Sequence, residues 1–162
     1  MNINSYNDFL FESMDDDSFI PNKVYHNSPI KINSLGDSPM WFSLEREYGE
    51  EYYNNRLLDG GPSYLYEGII KSGIPHIYSD YITRIFAENE IDQDEWISEI
   101  VGNPDSDEVM SLEGTKIIMN AGYPGIVYPD YDPFDYDNDV DTLIIFNPKK
   151  TVTAFILIKT ND

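Results

Sequence analysis

Residues 24–53 read VYHNSPIKINSLGDSPMWFSLEREYGEEYY, and the fold is decided there. The stretch opens with a short apolar and aromatic run, which predicts a strand over about Lys23–Asn27 and ends on Tyr25-His26-Asn27-Ser28. A turn-rich loop, Asn33–Pro39, leads to a second strand end, Met40-Trp41-Phe42-Ser43. Ser43 has the chemistry of a helix N-cap. The pattern predicts a helix over Leu44–Tyr53, with Glu45 and Glu47 at its positive end and Tyr48, Tyr52 and Tyr53 beyond them. A strand-end histidine thus faces a strand–serine–helix junction that carries tyrosines, an arrangement suited to cradling a flat ligand.

Upstream, Met1–Asp17 stands apart: Tyr6, Phe9 and Leu10 fall on one helical face before Asp15-Asp16-Asp17 ends the pattern. We expect a leader-like or flexible segment over 1–17 and a single domain over 18–162. Downstream, Asp59-Gly60-Gly61-Pro62 stops the helix, and Ser63–Lys71 alternates as a strand with Leu65 and Ile69 on one face. Three helices follow. Ser79–Asn89 presents Ile82, Ile85 and Phe86, and Asp92–Val101 presents Trp96, Ile97 and Ile100. Asp107–Asn120 turns Val109, Leu112 and the stem of Lys116 inward, and Ala121-Gly122 closes it. Strands then return at Gly125–Tyr128, Thr142–Asn147 and the β-branched run Thr151–Lys159. Strands, a helical block and strands again define an α+β domain.

The chain has 162 residues and 41% hydrophobic content, enough for one domain with a real core. Thirty acidic residues against ten basic ones give a net charge of −20, which disfavours direct nucleic-acid binding and anionic membranes and favours basic partners. With no cysteine, disulfides, zinc thiolates and thiol nucleophiles are excluded. No apolar run reaches the roughly 18 residues of a membrane span, and the N-terminus lacks the pattern of a secretion signal. We therefore expect action inside a cell.

The order Tyr25-His26-Asn27-Ser28, Trp41-Phe42-Ser43, Gly49-Glu50-Glu51-Tyr52, Gly122-Tyr123-Pro124-Gly125-Ile126-Val127-Tyr128 and Leu143-Ile144-Ile145-Phe146-Asn147-Pro148 resembles the ADP-ribosyltransferase-like family, over roughly Val24–Val152. The resemblance implies a split β-sandwich with a helical insert around a cleft for NAD. It implies that His26 contacts a ribose and that Asn27, with Ser28 beside it, offers backbone groups to the nicotinamide amide. Phe42 and Ser43 would line the same site, with Tyr52, or Tyr48 one turn earlier, as the platform for the nicotinamide ring. Family enzymes carry a glutamate just before the strand that reads Leu-Ile-Ile-Phe-Asn-Pro. Here that strand follows Asp139-Val140-Asp141-Thr142, and no glutamate occurs after Glu113. The resemblance therefore assigns the catalytic position to Asp141 or Thr142, with Asp139 nearby, and leaves the enzymatic role open.

The run SYNDFLFES resembles the leader of proteins packaged inside T-even-type phage heads, with Leu10-Phe11-Glu12 fitting their cleavage rule. That resemblance implies a phage head followed by host cytoplasm, or host cytoplasm alone, and a host macromolecule as target. The rival expectation is a non-enzymatic acidic protein that imitates DNA charge and occupies the basic surface of a host defence or nucleic-acid-binding protein. Aspartates at 130, 132, 135, 137, 139 and 141 form an acidic loop that lacks the glycine and closing glutamate of a calcium loop. No metal site is expected. There is no Gly-x-Ser-x-Gly, P-loop or dinucleotide fingerprint.

Overall fold

Among the described residues, six strands and five helices are arranged around one break in a sheet. The structure, a computed structural model, describes residues 23–70, 73–131 and 139–161. In chain order the elements are β1 (Lys23–Ser28), β2 (Met40–Ser43), α1 (Arg46–Leu58), β3 (Tyr64–Ile70), α2 (Asp80–Glu88) and α3 (Gln93–Gly102). A 3-10 turn (Asp107–Ser111), α4 (Glu113–Asn120), β4 (Gly125–Tyr131), β5 (Asp139–Ile145), α5 (Pro148–Thr151) and β6 (Val152–Thr160) complete them. The leader-like segment and the centre of the aspartate loop lie outside the described residues.

The architecture is α+β, with an antiparallel sheet in the order β4-β5-β2-β1-β3-β6. β1 pairs with β3 from Lys23↔Ile69 to Ser28↔Tyr64, whereas it meets β2 at Tyr25↔Ser43 alone. The sheet therefore divides into two three-stranded halves, β4-β5-β2 and β1-β3-β6, joined at one register point. Directly opposed residues share a face, so Tyr25, Ser43, Thr142 and Tyr128 form one row across four strands.

Helices cover that face. Ile82, Phe86, Trp96, Ile100 and Ile118 pack with Ile126, Tyr128 and Ile144, while Tyr53 of α1 meets Tyr25 and Leu65. On the other face Val24, Phe42, Val127, Leu143 and Ile145 gather with Ile70, Ile74 and Val152. Each such large side chain contributes about 1.5–3 kcal/mol when fully buried. The outer edge of β4 is covered by a bridge from Pro75–Ile77, through Val127 N–H to Pro75 O (2.9 Å) and Ile77 N–H to Val127 O (2.8 Å).

Two predicted helix bounds are corrected. Ser43 does not cap α1: it stays in β2 and its hydroxyl donates to Tyr25 O across the single register point (3.3 Å), so the cap position falls on Glu45. The helix also outlasts Tyr53, because Arg56 in its last turn reaches Asn27 Oδ1 (3.0 Å), and it ends where Gly60 takes a positive φ of 81°. The predicted helix over Asp107–Asn120 is broken by Leu112, whose backbone is extended (ψ 138°). In the resulting α4, Thr115 and Ile118 face inward and Lys116 is exposed.

Candidate functional site

Where β1 leaves β2, Trp41 stays paired with Ile144 of β5 but has no ladder partner on its β1 side, and half-buried peptide groups there must find others. Two side chains supply them. His26 Nδ1 bonds Trp41 O at 2.8 Å, and Asp105 Oδ1 accepts from Trp41 N–H at 3.0 Å. The break in the sheet is thus held by an imidazole and a carboxylate on the two peptide groups of one residue.

A carbonyl only accepts, so the proton of His26 sits on Nδ1 and Nε2 is left as an acceptor. No described residue bonds that nitrogen. Only 6% of His26 is exposed, and burial pushes its pKa down to about 4; the Trp41 carbonyl works against this and Arg56 adds to it. At neutral pH the ring is uncharged. Asp105 lies on a surface loop, where partial burial raises its pKa and the Trp41 N–H lowers it.

Aromatic rings continue from the imidazole. Its ring centroid is 5.1 Å from Trp41 and 5.7 Å from Phe42, and Trp41 lies 5.2 Å from Tyr52. Tyr52 meets Tyr48 edge-on at 5.0 Å, with their hydroxyls 3.1 Å apart. The approach of α1 that makes this possible depends on Gly49, where an added Cβ would stand 3.0 Å from Tyr25 Cβ and 3.2 Å from Leu65 and Ser43. His26, Phe42, Tyr48 and Tyr52 are therefore brought together, with Trp41 between them.

The other expected residues are placed as follows. Asn27 turns its side chain into the fold: Nδ2 donates to Ser63 Oγ (2.9 Å) and Tyr64 O (3.0 Å), and Oδ1 accepts from Arg56. Ser28 Oγ accepts from Ile30 N–H (3.2 Å), and Ser43 is fully buried. Asp139 begins β5 opposite Tyr131. Asp141 is half exposed and pairs with His76 Nε2 at 3.3 Å. By register His26 is level with Phe42 and hence Leu143, which puts Asp141 two strands across and two residues along, roughly 12 Å away by strand rise and spacing. On the opposite, helix-covered face Thr142 keeps a buried hydroxyl with no partner.

Asp105 was not visible from the sequence. It lies in Asn103-Pro104-Asp105-Ser106, which reads as a turn with cap residues, and it is 64 positions from the tryptophan it serves. No local pattern could have found it. Among the described residues no group of three or more acidic, histidine or cysteine side chains is arranged to hold a metal ion. No described helix is long and apolar enough to cross a membrane.

No family model matches the chain, and no curated protein does. Among solved structures it is similar to a chain in the crystal structure of the M. tuberculosis MbcT–MbcA toxin–antitoxin complex. The TM-score is 0.44 and the identity 6%, covering 88% of this chain and 86% of that one.

Proposed function

We propose that this is an ADP-ribosyltransferase-like protein that binds NAD at the break between β1 and β2 and transfers its ADP-ribose to a macromolecule. The supporting observation is the neutral His26, whose Nδ1 is held by the Trp41 carbonyl. Its Nε2 is thereby an acceptor for a ribose hydroxyl. The cationic nicotinamide ring suits the electron-rich faces of Trp41 and Tyr52, an attraction of about 0.5–2 kcal/mol. The side chain of Asn27 is engaged with Ser63, Tyr64 and Arg56 and so is not a ligand contact.

In transfer, the bond between nicotinamide and the ribose carbon breaks and its electron pair leaves with nicotinamide. The sugar carries positive charge until the acceptor's nucleophile bonds to it and gives up a proton. A fixed carboxylate near that charge lowers the barrier. Asp105 fits this role better than Asp141, because it is bonded to the same residue, Trp41, as His26, whereas Asp141 is engaged by His76.

The test is transfer of labelled ADP-ribose from NAD to proteins or nucleic acids of a bacterial lysate. The expected result is label on a discrete target, lost with His26→Ala, reduced about a hundredfold or more with Asp105→Asn and retained with Asp141→Ala. Label lost with Asp141→Ala and unchanged with Asp105→Asn would return the catalytic role to β5. Failure to bind NAD at all would remove the proposal. The chain has no glutamate after Glu113, so binding without transfer would favour a binding-only role on the same site.

A further inference from the structure

Away from the break in the sheet, the helical block carries a groove with an apolar floor and acidic banks. Two adjoining cavities of about 160 and 330 Å³ run between α3 and the segment formed by the 3-10 turn and the start of α4, and they share Glu99 and Leu112. The half-buried Ile91 and Leu112 form the floor, over the buried core residues Trp96 and Val109. The indole of Trp96 is fixed by its Nε1–H bond to Thr115 Oγ1 (3.1 Å), and it lies so close over Gly114 that a Cβ there would meet Trp96 Cδ1 at 2.4 Å.

The banks are carboxylates. Glu95 and Glu99 stand one turn apart on α3, and Glu108 and Glu113 stand opposite them. All four are exposed, and none forms an ion pair with a described lysine or arginine. Like charges at this spacing on a helix oppose its formation.

We propose that this groove is a docking surface for a basic amphipathic helix of another protein. An apolar stripe on the partner would seat over Ile91 and Leu112, while lysines or arginines one turn apart would meet Glu95 and Glu99. Helix-in-groove recognition uses this division of labour, with apolar anchors in the groove and charges at its rim. The net charge of −20 attracts such a partner over distance and opposes a second copy of this chain or a nucleic acid. The acids are not a cation site, since no described cluster is arranged to hold a metal ion. The surface stands independently of NAD binding.

The probe is a synthetic helical peptide of about five turns, with leucines at i, i+3, i+4 and i+7 and flanking lysines at i, i+4. Its controls are the same composition scrambled and a version with glutamate for lysine. Amide chemical shifts of the full chain locate binding, and calorimetry gives its strength at low and high salt. The expected result is shifts centred on residues 91–114, binding that weakens as salt rises, and at least a tenfold loss with Glu95→Lys and Glu99→Lys combined. These two side chains are exposed, so the folded state survives, which the spectrum of the variant confirms. Overturning results are no binding, undiminished binding to the double variant, equal binding of the scrambled peptide, or shifts centred elsewhere.

Discussion

His26 spends its life uncharged, and that has a measurable consequence. Its folded pKa of about 4 lies below the ordinary histidine value of 6.5, so as pH falls the unfolded chain takes up the proton first. The contribution to stability is full above about 6.5, declines between 6.5 and 4, and is constant below that, a loss of about 3 kcal/mol in all. Urea unfolding at pH 7.5 and 4.5 should show most of this loss in the wild type and not in His26→Asn, as a difference between two proteins that share every other titrating group. Parallel behaviour would mean that folding does not lower the pKa of the ring. Asp105→Asn has a different signature. The amide oxygen can still accept from Trp41 N–H on an open surface, so stability should change by less than about 1 kcal/mol while transfer falls. A large loss of stability would make Asp105 a structural strut.

At the scale of elements, close approach decides what is tolerated. Gly49→Val pushes α1 away from Tyr25, Leu65 and Ser43, and overpacking of this kind costs about 1–3 kcal/mol. Gly125→Ala should also be severe, because its Cβ would meet the Ile144 carbonyl oxygen at 2.2 Å, within the β4–β5 pairing. Thermal unfolding checks both, at roughly 2–4 °C per kcal/mol for a chain of this size. Unaltered melting of either variant would contradict the packing described.

The element scale also shows what could be read in advance. β1, β2 and β6 follow their apolar and β-branched runs, and His26, Trp41 and Tyr52 are close in space because fewer than thirty residues separate them. The start of α1 was misplaced because a local preference, Ser43 as a cap, lost to a bond across the sheet. The break at Leu112, between the 3-10 turn and α4, left no trace in periodicity. Asp105 required knowledge of how a distant loop crosses the open end of β2, which spacing along the chain does not encode.

On the scale of the whole molecule, thirty acids and ten bases leave the surface repelling itself. Raising sodium chloride from about 10 to 300 mM shortens the Debye length from roughly 30 to 6 Å, so the urea midpoint should rise; a falling midpoint would mean that attractive pairs dominate. The same charge draws basic partners toward the molecule. The break in the sheet depends on something else, a neutral acceptor and aromatic faces that suit an uncharged ribose and a cationic ring. The two histidines make this directly observable, since His26 lies at the break and His76 is engaged with Asp141. Imidazole nitrogen and carbon resonances recorded while NAD is added should shift for His26, saturably, and stay fixed for His76; movement of His76 alone, or of neither ring, would contradict the account.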